Sequence, residues 1–264
     1  MQPYRPFPQF TGITLRSYGG WSNYNALQIQ VKKNFSHGLW LESNYTWSHA
    51  LDTNTQGGWS GPESNFQIAQ DPAALYGNSL VDQRHAWNGS FIYQLPFGKG
   101  KYFLNKGGIL NGFLGGWQVS NMWTVLTGEP FTPRWGGQNL DFSGSGTWFP
   151  NRVCSGAISN PTIQEWFNPG CFPSAAPGTY GNSGRNILYG PGYFNMDSSL
   201  AKSFAIPQLG EQGLLQIRVD ATDVLNHPNF GFPNAGVTPA PTAAGTITSA
   251  LSQRNLQLGA RLVF

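Results

Sequence analysis

Seven segments of roughly ten residues alternate apolar and polar side chains with a period of two. That period puts successive side chains on opposite faces of an extended chain. Each segment therefore reads as a β-strand with one apolar and one polar face. In 24–34, Leu27, Ile29 and Val31 oppose Gln28, Gln30 and Lys32. In 39–48, Leu39, Leu41, Tyr45 and Trp47 oppose Glu42, Asn44, Thr46 and Ser48. In 84–95, Trp87, Phe91, Tyr93 and Leu95 oppose Arg84, Asn88, Ser90 and Gln94. In 117–127, Trp117, Val119, Trp123 and Val125 oppose Gln118, Ser120 and Thr124. Segment 193–206 sets Phe194, Met196, Leu200, Phe204 and Ile206 against Asn195, Asp197, Ser199 and Ser203. Segment 215–226 sets Leu215, Ile217, Val219, Ala221 and Leu225 against Gln216, Arg218, Asp220, Thr222 and Asn226. The last, 254–264, sets Leu256, Leu258, Ala260, Leu262 and Phe264 against Asn255, Gln257, Gly259 and Arg261.

The connections alternate in length. Ser36-His37-Gly38 and 207–213 are short, and 96–116 is longer but rich in Gly and Lys. The other three, 50–83, 128–192 and 227–253, are long. Short on one side and long on the other is the loop asymmetry of an outer-membrane barrel, whereas structureless loops this long count against a soluble domain. Two short helices are expected inside the long loops. Asp71-Pro72 opens one that ends at Gly77, and Asn160-Pro161 opens one that runs to Phe167.

Composition narrows the class further. Of 264 residues only 10% are charged, against about 25% in ordinary soluble domains. Gly 34 and Pro 19, with 14% aromatic residues, exclude a helical bundle and disfavour disorder. No run of 18 apolar residues exists, so a helical membrane span is excluded. The mean hydropathy is −0.31. A net charge of +3 with scattered Lys and Arg gives nucleic acid no support as a partner. Residues 1–8 contain no apolar stretch of the signal-peptide kind.

A soluble sandwich would hide the apolar face against a second sheet, and a membrane barrel would turn it to lipid. Three features favour lipid. The polar register carries ionisable groups suited to a wet interior: Glu42, Arg84, Asp197, Arg218, Asp220 and Arg261, besides Lys32. Charges in the apolar register sit near strand ends: Lys33 and Lys202 at one rim, Asp223 at the other. A Lys or Arg there costs close to nothing, against about 2–4 kcal/mol at the bilayer midplane. Aromatics in the apolar register suit a girdle at the lipid interfaces: Tyr45, Trp47, Trp87, Tyr93, Trp117, Trp123, Phe204 and Phe264. Asn121 and Ser198, in mid-strand in the same register, argue the other way. The fold class expected is an all-β, antiparallel transmembrane barrel segment of about seven strands.

Several motifs in order resemble a known family. They are Ser22-Asn23-Tyr24-Asn25-Ala26-Leu27-Gln28, Asn44-Tyr45-Thr46-Trp47-Ser48, Asp82-Gln83-Arg84-His85, Leu95-Pro96-Phe97-Gly98 and Gly116-Trp117-Gln118-Val119-Ser120. After them come Gly181-Asn182-Ser183-Gly184-Arg185-Asn186, Gly190-Pro191-Gly192-Tyr193-Phe194-Asn195 and Asn226-His227-Pro228-Asn229-Phe230-Gly231. Over essentially the whole chain these resemble the C-terminal barrel portion of Oar-like TonB-dependent outer-membrane receptors, a group abundant in Acidobacteria. The resemblance implies a 22-stranded barrel filled by a plug, which takes up a large scarce ligand (siderophore, carbohydrate or peptide) with energy passed by TonB. It also implies that the terminal Phe264 is read by the barrel-assembly machinery. The plug, signal peptide and N-terminal regulatory-like domain of such receptors find no counterpart. Seven strands are odd in number and fewer than the eight of the smallest single-chain barrels. The expectation is therefore a C-terminal piece of a longer receptor, inactive alone and located in the outer membrane of a Gram-negative cell. Two alternatives stay open: a secreted or surface β-protein that binds carbohydrate, and an adhesion or export protein of the outer membrane.

Motifs for covalent chemistry are absent from the sequence. Gly98-Lys99-Gly100-Lys101 lacks P-loop spacing, and there is no H-E-x-x-H, C-x-x-C or G-x-S-x-G. His37, His49, His85 and His227 show no ligand spacing. No enzyme activity, metal or cofactor is expected. Cys154 and Cys171 share one long loop and are expected to form a disulfide in an oxidising compartment, contributing about 3 kcal/mol in the chain-entropy model. Asp197, Arg218 and Asp220 lie on adjacent strands, where a cross-strand charge pair that fixes register competes with contact to a plug or substrate. Loop tryptophans Trp59, Trp135, Trp148 and Trp166 suit either ligand capture or ordinary loop packing.

Overall fold

A computed structural model describes residues 7, 9–10, 19–53, 68, 71–105, 108–135, 149–210, 213–237 and 243–264. Trp59 and Trp148 lie outside the described residues. The main sheet contains β1 (Ser22–Ser36), β2 (Leu39–Asp52), β3 (His85–Gln94), β4 (Trp117–Leu126), β5 (Tyr193–Ala205), β6 (Leu214–Thr222) and β7 (Asn255–Val263). Each strand pairs antiparallel with the next in chain order. A two-residue strand, Gly77–Asn78, adds to the far end of β2. The molecule is all-β and its barrel is not closed: among the described residues β1 and β7 pair on one side only.

Register carries the alternation from strand to strand. Ile29 faces Tyr45, Tyr45 faces Trp87, and Trp87 faces Val125. Farther along, Val119 faces Leu200, Leu200 faces Val219, and Val219 faces Leu258. One apolar surface therefore crosses all seven strands, because slipping one pair by one residue would put polar groups into it. The first hairpin fixes that register at one edge. Ser36 pairs with Leu39, and His37 and Gly38 take φ of 51° and 81°. Positive φ at both central residues is the two-residue turn whose twist matches the flanking strands.

The sheet has two differently furnished ends. The turn at His37-Gly38 and the connections 95–116 and 206–213 lie at one end, and the long loops lie at the other. The 95–116 connection holds one helix, α1 (Ile109–Leu114), where the sequence had suggested only a Gly- and Lys-rich crossing. β1 and β2, at 15 and 14 residues, are longer than the 9–11 residues that a transmembrane strand needs.

Three local expectations need correction. β6 stops at Thr222, because Asp223 and Asn226 adopt φ of 46° and 50° and turn the chain. Leu225 thus leaves the apolar face and lies exposed in that turn. Residues 160–167 form no helix. Thr162 and Glu165 exchange backbone hydrogen bonds at 3.0 and 3.2 Å, and Ala157 bridges Phe167 antiparallel. A helix of one or two turns has little stability of its own, and here the backbone is used to set Trp166 and Phe167 against a core. The Asp71 segment does wind into a 3-10 turn, Pro72–Leu75, but the Asp71 side chain makes no capping bond.

The buried core lies in the long loops. Phe131, Phe167, Cys171, Phe172, Leu188, Val237 and Ala244 cluster there, with Trp135, Trp166, Ile187 and Ala235 packed around them. One short ladder joins the two loops and another folds the 128–192 loop on itself, making one cap. Arg134–Trp135 pairs parallel with Gly236–Val237, and Pro130–Phe131 pairs antiparallel with Leu188–Tyr189. The Cys154–Cys171 disulfide, with a Cα–Cα distance of 5.0 Å, closes a stretch of this cap over Phe172 and Phe167.

Candidate functional site

The polar register and the cap above it form the candidate site. On the polar face Lys32 pairs in register with Glu42, and Gln30 Nε2 donates to Glu42 Oε1 at 3.2 Å. Arg261 faces Gln216 across β6 and β7. Arg218 Nε donates to Asp220 Oδ2 at 2.8 Å within one strand, so the expected cross-strand charge pair is replaced by a pair two residues apart on β6. Asp197 does not join it. Its Oδ1 accepts from Asn195 Nδ2 and from the Asp223 amide, each at 2.9 Å, and so steers the chain into the turn after β6. Arg84 is also displaced from its expected place. It precedes β3 and its guanidinium donates to Asp82 Oδ2 at 3.2 Å at the rim.

Buried polar groups dock the cap onto the wall at that rim. Arg185 is 4% exposed and forms an ion pair with Asp52, the last residue of β2. Its Nε also donates to the Leu75 carbonyl at 3.0 Å. Asn186, at φ 53°, is fully buried; its Nδ2 donates to the Asn78 carbonyl at 2.7 Å and its amide to Thr132 Oγ1 at 2.9 Å. Asp82 accepts the Ala50 amide at 2.7 Å. Asn229 both accepts from the Phe194 amide and donates to the Phe194 carbonyl, at 2.8 and 2.7 Å, standing in for a strand neighbour. These bonds tie loop residues to strand ends and to one another, and a buried polar group without such a partner would be costly. The motif that holds Arg185 and Asn186 was visible in the sequence. Their partners were not, because they lie more than 50 residues away.

The apolar register has its own order. Tyr45, Trp47 and Trp87 gather toward the loop end, and Tyr93, Trp117 and Phe204 toward the turn end. From Trp87 to Tyr93 is about 20 Å along β3 at about 3.4 Å per residue. Trp87 and Trp123 meet edge-on at 5.6 Å, above Gly89. A Cβ at Gly89 would come within 2.3 Å of the Trp123 ring, so the gap in the alternation at this position is the seat of that indole. Phe264, just beyond β7, is 89% exposed. Asn121 Nδ2 donates to Ser198 Oγ at 2.7 Å, so the two polar residues in this face answer each other.

Residues 1–257 match the family model described as an outer membrane beta barrel domain. The chain belongs to this family. No curated protein and no solved structure matches it. Membership places the barrel domain in the outer membrane, where such sheets turn their apolar register to lipid and their polar register inward. In barrels of this kind aromatic residues gather at the two interfaces of the bilayer and the short connections face the periplasm. In the cap, Trp166 donates its indole N–H to the Tyr189 carbonyl at 2.8 Å and, like Trp135, packs on the core, so both serve loop packing. Among the described residues no group of His, Cys, Asp and Glu has the arrangement of a metal site.

Proposed function

We propose that the barrel domain supplies wall strands and surface loops to a large receptor barrel of the Oar-like, TonB-dependent kind, which imports a scarce ligand. The open sheet carries this reading. Seven strands in simple succession leave β1 and β7 with unpaired edges among the described residues. Hydrocarbon does not tolerate such edges, so further strands complete the wall. A barrel of about 22 strands encloses a lumen large enough for a plug. The polar register, with Glu42, Asp197, Arg218, Asp220 and Arg261, would line that lumen. The cap, docked through Arg185 and Asn186, would form part of its outer mouth. Transport would proceed by gated release as the plug moves, with no covalent step and no cofactor.

The experiment is an immunoblot of the native cell envelope with an antibody against residues 149–190. A band in the outer-membrane fraction far larger than 264 residues account for is expected. Loss of ligand accumulation when TonB is depleted would then assign the energy source. A band of 264-residue size in that fraction would overturn the large receptor in favour of a self-assembled barrel. The same small band in the soluble fraction would favour the carbohydrate-binding alternative. A large band whose uptake ignores TonB would point to adhesion or export.

A further inference from the structure

Among the described residues, a buried cation in the lipid-facing register has no counter-charge. Lys202 lies in β5, opposite Trp117 on β4 and Ile217 on β6, at the periplasmic end of the sheet. It is 5% exposed. Its ammonium donates to the Gly115 carbonyl and sits 5.5 Å from the Trp117 ring centroid and 5.0 Å from that of Phe204. An ammonium has three donors, and among the described residues no carboxylate is paired with this one. Lys33, the other cation in the same register, contrasts with it: it reaches Ser36 Oγ at the hairpin turn and stays at the edge of the sheet.

Beside Lys202 is a cleft of about 480 Å³, lined by Ile109, Phe113, Trp117, Lys202, Phe204 and Ile217. One wall is the apolar face of β4, β5 and β6, and the other is α1. That helix leaves Ile109, Leu110 and Phe113 at 81%, 66% and 72% exposure. An aqueous surface would not favour such a helix, whereas the headgroup boundary of a bilayer suits it. The cleft is thus apolar apart from one cation in its lining, and it lies at the level of the periplasmic aromatic row.

We infer that this cleft holds one anionic phospholipid of the periplasmic leaflet, its phosphate against Lys202 and an acyl chain between α1 and the β4–β6 surface. The inference depends on the outer-membrane placement and is independent of the TonB reading. Charge complementarity selects the headgroup, since the ammonium's acceptor is a neutral carbonyl and a phosphate adds a bond between two charged partners. The lining selects the chain, because no polar side chain other than Lys202 reaches it.

The test is native mass spectrometry of the full-length protein extracted in mild detergent and offered dioleoyl-phosphatidylglycerol, dioleoylglycerol or inorganic phosphate. One phosphatidylglycerol should remain bound. Lys202→Met should weaken its retention by about tenfold, the loss expected for one charged hydrogen bond, and Lys202→Arg should restore it. Phe113→Ser, on the exposed helix and outside the sheet, should weaken it as well while leaving folding intact. That variant keeps the test decisive if Lys202→Met fails to assemble. The inference is overturned if dioleoylglycerol is retained equally, if inorganic phosphate displaces the lipid, or if Phe113→Ser and a folded Lys202→Met both retain it unchanged.

Discussion

On β7 of the wall, Leu258 is 79% exposed; in the cap, Phe167 is 1% exposed. Both are large apolar residues in one polypeptide, and they are stabilised by different surroundings. The wall keeps its apolar side chains on the outside and relies on lipid to cover them. The cap stands above the bilayer and builds a conventional core, closed by a disulfide and by short ladders within and between its loops. The same contrast governs polar groups. The wall leaves Arg218 and Asp220 paired and partly exposed on its polar face, while the cap buries Arg185 and Asn186 with partners for each. A membrane barrel with structured loops is therefore two solvent problems solved by one chain.

The sharpest way to break the comparison is to make similar truncations in both regions. Phe167→Ala leaves a cavity in a packed core and should destabilise the cap by about 3–5 kcal/mol. Leu258→Ala loses its transfer from water to lipid, about 2 kcal/mol at about 0.8 kcal/mol per buried CH2, but lipid fills the vacated space and no cavity cost is added. Urea titration in bilayers, with protease accessibility of residues 149–190 as the cap signal, measures both. Equal losses would mean that the β7 surface is buried against protein and not lipid.

The seam between the regions should come next. Arg185→Ala removes the guanidinium from Asp52 and from the Leu75 carbonyl. Breaking a buried ion pair by removing one partner costs about 3–5 kcal/mol. The expected outcome is a cap that is cut by protease while the strands stay protected from hydrogen exchange. Simultaneous loss of strand protection would show that the cap is needed to hold the wall together.

A charge on the lipid face sharpens the contrast from the other side. Leu200 sits midway along β5, between Val119 and Val219. Leu200→Arg should cost about 2–4 kcal/mol in a bilayer, the depth-dependent penalty for a midplane cation. Leu251→Arg, at a 65% exposed position in the last long loop, should change stability by less than about 0.5 kcal/mol. If the two substitutions cost the same, position 200 is not in hydrocarbon.

How much of this was legible in the sequence follows the same division. The seven strands, their two faces and the turn at His37-Gly38 could be read directly, because strand period and turn chemistry are local. The cap core could not be read, since Phe131, Phe167 and Val237 have no shared period and meet only after two loops fold together. The partnership of Arg185 with Asp52 spans 133 residues and left no local trace beyond the motif around Arg185. Residues 160–167 were misread for the opposite reason: their local helix-start signal was real, but packing of Trp166 and Phe167 outweighed it. Arg218 with Asp220 shows a smaller version of this. Adjacent strands suggested a cross-strand pair, and the side chains settled on one within β6.

Asn121 and Ser198 are the residues that spoke against lipid, and their mutual hydrogen bond makes them a fine test of it. Asn121 Nδ2 donates to Ser198 Oγ, and Asn121 Oδ1 has no partner. In an apolar setting one such bond contributes about 1 kcal/mol net, and leaving one partner behind costs more than removing both. Ser198→Ala alone should therefore destabilise the wall by about 1–2 kcal/mol. Adding Asn121→Leu should recover most of that loss, because the second change removes the orphaned amide from a face that lipid covers. The double-mutant cycle in bilayers isolates the coupling. Recovery would extend the lipid surface through the middle of β4 and β5. A double variant worse than either single one would instead mean that the pair is wet, and that the apolar face is interrupted there by water or by another polar surface.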